Sequence, residues 1–167
     1  MTKFKTSLLG LLLLATPACK SNKLPTMLID NLYSYQSAQR VQRVLGLKPE
    51  TWEILQETHL LSGDKRPAHS TLSALVKNYS HLGYTGELVL DFYNDQLMET
   101  RFYPSDLENY RKVLEQKQRF RFDQDLGAKL GPTKRMWIGK DEKKRRYVGC
   151  RDLRLRQEED DWIKKYS

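Results

Sequence analysis

Few residues of this 167-residue chain have the type and spacing that chemistry needs. Asp91 and Glu99 lie in GELVLDFYNDQLMETRFYP, whose alternation predicts a hairpin turning at Asn94-Asp95. In an antiparallel ladder the two carboxylates could face each other, as a general acid–base pair would. Such a pair needs burial to split its protonation, and an exposed polar hairpin face explains the same residues more simply. His59, His69 and His81 stand in no H-E-x-x-H helix and beside no second ligand at metal spacing. No G-x-S-x-G elbow and no glycine-rich phosphate loop occurs. The expectation is a non-enzyme with no catalytic residue, no metal and no cofactor. Cys150, in RRYVGCRDL, has no His or second Cys nearby in sequence to lower its pKa and reads as a small buried strand residue.

The other cysteine, Cys19, follows an apolar run directly. Lys3 and Lys5 precede that run, and Ser7 to Ala15 are too few to span a bilayer. A spanning helix needs ~20 apolar residues, whereas the apolar part of an export signal has ~7–15. Thr16, Pro17 and Ala18 are small or helix-stopping, which suits an extended chain in a peptidase groove. Residues 1–18 are therefore expected to be a removable export signal. Ordinary cleavage after Ala18 would leave Cys19 unmodified. Alternatively, TPAC resembles a bacterial lipobox, with Thr16 and Pro17 where Leu and Ala or Ser are commoner. That resemblance implies a diacylglyceryl thioether and an amide-linked acyl chain on Cys19. At ~0.8 kcal/mol per buried CH₂, one chain binds marginally and two or more anchor stably. Lys20, where inner-membrane lipoproteins often carry Asp, leans toward the outer membrane of a two-membrane cell. Residues 19–26 read as a short tether that keeps the domain near the membrane.

Charge narrows the partners. Without residues 1–18 the chain holds 27 basic and 21 acidic residues, a formal charge of +6. The surplus is uneven: 19–110 is slightly acidic and 111–167 strongly basic. Basic surface suits nucleic acid, anionic lipid or an acidic protein. Export removes nucleic acid from that set and leaves an envelope protein or an anionic envelope surface; a merely solvating face accounts for the charge equally well.

These residues must be positioned by the elements around them. SAQRVQRVLG predicts a helix capped by Ser37 or Ser34, stopped by Gly46 and kept from resuming by Pro49. TWEILQETHL and TLSALVKNY read as strands. In the hairpin, Leu88, Leu90 and Phe92 alternate on one arm. On the other, Leu97, Glu99 and Arg101 oppose Met98, Thr100 and Phe102. PSDLENYRKVLEQK predicts a helix with a Ser105–Glu108 capping box. RFRF and RMWIG are short strand candidates, KDEKK a turn, and RRYVGCRDLRL a further strand. RQEEDDWIKKYS closes as a helix with acids early and lysines late. The expected architecture is α+β: one domain over 27–167 with an antiparallel sheet and two or three short helices.

A faint echo divides that domain at 104/105. Leu-Gly precedes a tryptophan by six residues twice, Gly46 to Trp52 and Gly131 to Trp137, and strands follow each. The run Val41-x-x-x-Leu45-Gly46-x-x-Pro49-x-x-Trp52, followed by LDFYNDQL, resembles the SmpA/OmlA (BamE-like) group of small bacterial outer-membrane lipoproteins. The tandem arrangement also resembles the β-lactamase-inhibitor-protein-like fold. Residues 37–103 carry the likeness; the chain lacks the usual Gly-Met before the helix and its Pro49 comes one residue late. The resemblance implies a non-enzymatic lipoprotein that binds other proteins. Tyr84, Phe92, Tyr93, Arg101, Phe102 and Tyr103 exceed what one face of a small sheet requires. Half are expected in the core, which accounts for such residues more simply, and the outward set is the candidate interface. The rival reading is an envelope hydrolase, or a binder of an anionic polymer such as peptidoglycan, centred on Asp91 and Glu99.

Overall fold

The computed structural model describes residues 23–48, 52–61, 63–123 and 127–167. The expected export signal, Cys19 and Pro49 lie outside the described residues. The described fold opens with a small hairpin, β1 (Met27–Ile29) and β2 (Leu32–Tyr33), which buries Leu28, Ile29 and Leu32. In α1 (Ala38–Leu45), Ser37 accepts from the Arg40 N–H, and Gly46 ends the helix in the left-handed region at φ 64°. Then β3 (Glu53–His59), β4 (Ser70–His81), β5 (Tyr84–Tyr93) and β6 (Gln96–Pro104) form a meander. Its last turn carries positive φ at Asn94 and Asp95, as a tight two-residue hairpin turn demands. After α2 (Leu107–Gln118) come β7 (Ala128–Lys129), β8 (Lys134–Lys140) and β9 (Arg146–Asp152). α3 (Leu153–Tyr166) continues from β9 without a loop.

Among the described residues, the strands from β3 on share one seven-stranded antiparallel sheet in the order β3-β4-β5-β6-β9-β8-β7. The fold is thus α+β, with three helices among the described residues. The two meanders meet last strand to last strand, with Thr100 opposite Cys150 at the seam. One face of the sheet is covered by the β1–β2 hairpin, α1 and α2. Leu88, Phe92 and Phe102 bury there against Leu28, Val41 and Tyr110. Fully burying a Leu or Phe is worth about 1.5–3 kcal/mol, so this layer carries most of the stability. On the opposite face only α3 packs, at one end, through Leu155 against Tyr93 and Met98. β3 at the sheet's edge is exposed along its whole length.

Bulges correct the simple alternation. Asp91 pairs with Glu99, but Phe92 pairs with Leu97, so Met98 is an extra residue in β6. Leu97 therefore joins Phe102 in the core, while Glu99 and Arg101 point to the other face. A second irregularity after Val76, with Asn78 at φ 55°, returns Tyr79 to the core side.

Three boundaries also differ from expectation. The N-cap of α2 is Asp106, accepting from the Asn109 N–H, rather than Ser105. RFRF forms no strand: Arg119 takes a left-handed turn as the C-cap of α2, and the Phe122 N–H is tied back to Glu115. Finally, β9 stops at Asp152, whose carboxylate caps α3, so the helix starts at Leu153. Its acids sit mid-helix and none lies in the first turn. Replacing Asp106 by Ala is expected to lower the thermal midpoint by roughly a few degrees, and Ser105→Ala to leave it unchanged. Circular dichroism melts of the two variants check this, and a larger loss for Ser105→Ala would restore the capping box.

Candidate functional site

The face of the sheet that lacks helices, apart from the α3 end, is lined by a row of polar side chains one per strand. Cross-strand register sets Ser73 beside Asp91, Asp91 beside Glu99, Glu99 beside Arg151 and Arg151 beside Arg135. Arg101 adds a fork: its Nε and one terminal nitrogen donate to the two oxygens of Asp91 at 3.0 and 2.9 Å. The same Nε lies 3.8 Å from Glu99. The Ser73 hydroxyl donates to Asp91, and Arg151 donates to Glu99. The Glu99 side chain is 7% exposed, against 28% for Arg151. Burial pushes the Glu99 carboxyl up to about 7; Arg151 and Arg101 oppose that shift, and Asp91 adds to it.

Toward the β8–β9 hairpin the row gives way to aromatic rings held flat by glycines. A Cβ at Gly149 would collide with the Trp137 indole, and one at Gly139 would collide with the Tyr147 ring. Trp137 and Tyr147 therefore lie down across the neighbouring strand. Arginines stack between them. Arg151 stands 4.9 Å from the Trp137 ring, Arg145 stands 4.7 Å from Tyr103, and Arg101 stands 6.0 Å from Tyr147. Tyr103 and Tyr147 are 5.2 Å apart. Arg145 is itself fixed by Glu87 at 2.7 Å and Asp141 at 2.8 Å. The result is a fairly flat lattice of guanidinium groups and rings whose rotamers are already set. It offers hydrogen-bond donors and aromatic faces, and its arginines already occupy the two carboxylates.

Of the six aromatic-hairpin residues singled out in the sequence, Arg101 and Tyr103 lie on this side of the sheet, and Tyr103 is itself buried, 9% exposed, against Leu75 and Val89. Phe92 and Phe102, each 1% exposed, are instead part of the helix-covered core. Tyr93 is buried beneath α3, and half-buried Tyr84 packs edge-on against Tyr110 at 5.6 Å. The sequence reading missed Trp137, Arg145, Tyr147 and Arg151. The signal was there: Arg135-x-Trp137-x-Gly139 and Tyr147-x-Gly149-x-Arg151 alternate so that each triplet shares one face.

The histidines lie elsewhere and apart. His59 is exposed beside Glu57, and His69 stacks between Tyr93 and Trp162. His81 is a core residue: its Nδ1 is 2.7 Å from the Tyr110 hydroxyl and its Nε2 is 3.4 Å from Asp30. Burial pushes it below the usual histidine range, while Asp30 pulls the other way. Asp30, which also accepts from Tyr79, lines a groove of about 660 Å³ with His81, Leu45 and Lys117. The Cys150 thiol is pushed up to about 12 by burial, so it is no nucleophile at neutral pH. Among the described residues no group of three or more His, Cys, Asp or Glu could hold a metal. No described helix is long and apolar enough to cross a membrane.

No known family model matches this chain, and no curated protein sequence does.

Glu99 makes the stability of the sheet pH-dependent. Its carboxyl ionises at about 7 in the fold against an ordinary 4.5, so between those values the folded state holds more protons than the unfolded one. Its contribution is complete below about 4.5 and is lost as pH rises through about 7, to a total of about 3 kcal/mol. Urea unfolding of the wild type and Glu99→Gln across this range should show their difference falling with pH and flat above about 7. A difference that rises with pH would mean that pairing with Arg151 outweighs burial.

Proposed function

We propose that this protein is an exported envelope lipoprotein, acylated on Cys19 in the outer membrane, that holds another envelope protein on the open face of its sheet. The observation that carries this reading is the lattice of Arg101, Arg145 and Arg151 among Tyr103, Trp137 and Tyr147. Tyrosine, tryptophan and arginine are the residues that dominate binding energy at protein interfaces, and here their side-chain freedom is largely spent before a partner arrives. The envelope part of the proposal rests on the sequence around Cys19.

The likeness to SmpA/OmlA (BamE-like) lipoproteins and to the β-lactamase-inhibitor-protein-like fold belongs to the same proposal, as does a tandem repeat. In its favour, a helix precedes antiparallel strands in each half, and Gly46 and Gly131 both have positive φ. The last strands of the two halves are neighbours, as a two-fold relation would make them. Side-chain roles do not follow the repeat, since Trp52 meets the core at Phe92 and Trp137 lies on the open face.

The rival reading, a hydrolase or a binder of anionic polymer, draws on Asp91 and Glu99. Those carboxylates are cross-strand neighbours, but Arg101 and Arg151 already occupy them. That favours a binding surface over an acid–base pair.

A photo-crosslinking phenylalanine at position 137 or 147 is expected to capture one partner protein in intact cells, and the same probe at Lys112 on α2 to capture none. Arg145→Ala should weaken the interaction about tenfold or more. Capture of glycan alone would favour the polymer reading, and equal capture from Lys112 would remove the open face as the site. Intact mass of the membrane-extracted protein beside Cys19→Ala tests the acyl chains.

A further inference from the structure

The chain is fixed to the fold from its first described residue. The Lys23 ammonium pairs with Glu158 of α3. Arg154, seated on the fully buried Asp152, donates to the Leu24 carbonyl at 2.9 Å and to the Thr26 hydroxyl at 3.1 Å. The Thr26 hydroxyl also bonds that of Thr133 at 3.0 Å. Everything here sits at one end of the sheet, where β9 ends and β8 begins. Four residue steps separate Lys23 from Cys19. An extended chain covers at most ~3.6 Å per residue, so a lipid on Cys19 holds this end within roughly 14 Å of the bilayer.

The same end carries the two most exposed large apolar side chains among the described residues, Leu24 at 83% and Leu61 at 85%. They are not neighbours in the chain; α3 links their surroundings. Its first turns hold Leu24, as above. Its last turn meets the loop after β3, where Trp162 donates to the Pro67 carbonyl at 3.0 Å and Arg66 to the Tyr166 carbonyl at 2.9 Å. Leu60, beside Leu61, is tied to the far side of that loop through the His69 carbonyl. Nearby charges largely cancel: Lys23 pairs with Glu158 and Arg66 with Asp64, and Lys65, Lys164 and Lys165 are offset by the acids at 158–161. Lys23, 64–66 and 152–165 together hold seven basic and six acidic residues. The 141–145 hairpin is at the other end of β8 and β9, some seven residues away, or about 20 Å.

We propose that the α3 end of the sheet is a lipid-facing surface, with Leu24 and Leu61 seated in the head-group region and the 141–145 hairpin directed away from the membrane. This rests on the reading that Cys19 is acylated. The contact is apolar and tether-driven, because so little net charge remains there. The Arg–aromatic face then stands upright on the membrane, its Tyr103–Tyr147 part farthest from the lipid.

The test uses the membrane-extracted full protein, reconstituted in phosphatidylcholine–phosphatidylglycerol vesicles whose acyl chains are brominated. A maleimide fluorophore is placed at Leu24→Cys, Leu61→Cys or Lys143→Cys. Wild-type protein should take up no label, since Cys19 would be a thioether and Cys150 is buried with its thiol raised to about 12. Loss of fluorescence at 24 and 61, with none at 143, is the expected result. Equal quenching at all three sites, or quenching at 143 alone, overturns the orientation. No quenching on vesicle-bound protein whose wild type stays unlabelled also overturns it while leaving the lipid anchor intact. Labelling of Cys19 in the wild type shows a free thiol, and then the anchor reading fails and takes the orientation with it.

Discussion

Asp152 is the residue on which the layout depends. Its carboxylate is completely buried, and isolating such a charge from water would cost several kcal/mol. Arg154 meets it with a two-point ion pair, and Ser34 and Thr26 add hydrogen bonds; together these outweigh burial and hold the carboxyl below the usual range. That one group ends β9, caps α3 and ties down the segment before β1. Without it the sheet would keep its core face, but α3 would lose its starting point on the other.

The placement of α3 in turn decides what kind of surface the sheet shows. It covers Tyr93 and Met98 at one end and leaves the middle of the sheet to Arg101, Arg151 and the flat rings. A sheet with one face in the core and the other solvated ordinarily presents polar residues outward. Here the outward residues are large, and glycines at 139 and 149 are what let rings lie over strands instead of standing up. The tight packing of cations on rings stiffens the surface and lowers the entropy lost when something binds there.

Much of the layout was legible in the sequence, and the misses have local causes. Ser37 and Gly46 bracket α1 because cap chemistry is a property of a few adjacent residues. The hairpin at Asn94-Asp95 was legible for the same reason, as were the strands with long alternation. The β1–β2 hairpin was not, because two or three residues carry no period. Ser105 and Asp106 are both able caps, and only the register of the first turn chooses between them. Met98 could not be recognised as a bulge, since Leu97 to Phe102 alternates acceptably either way. Alternation also identifies two faces without saying which is wet. Phe92, Phe102 and Trp137 were sorted only when α1, α2 and α3 chose their sides.

The fully exposed β3 has a consequence for association. As the terminal strand it offers an unpaired row of backbone N–H and C=O groups, with Ile54 and Leu55 about half exposed along it. Such a row is a template on which another extended chain could grow the sheet. Leu55 interrupts it with a register shift, and Glu53, Glu57 and the Lys77 partner of Glu53 surround it with charge. An incoming strand would have to match the kink and tolerate those carboxylates, so the irregularity in β3 disfavours edge-to-edge pairing of the kind a flat, uncharged edge invites.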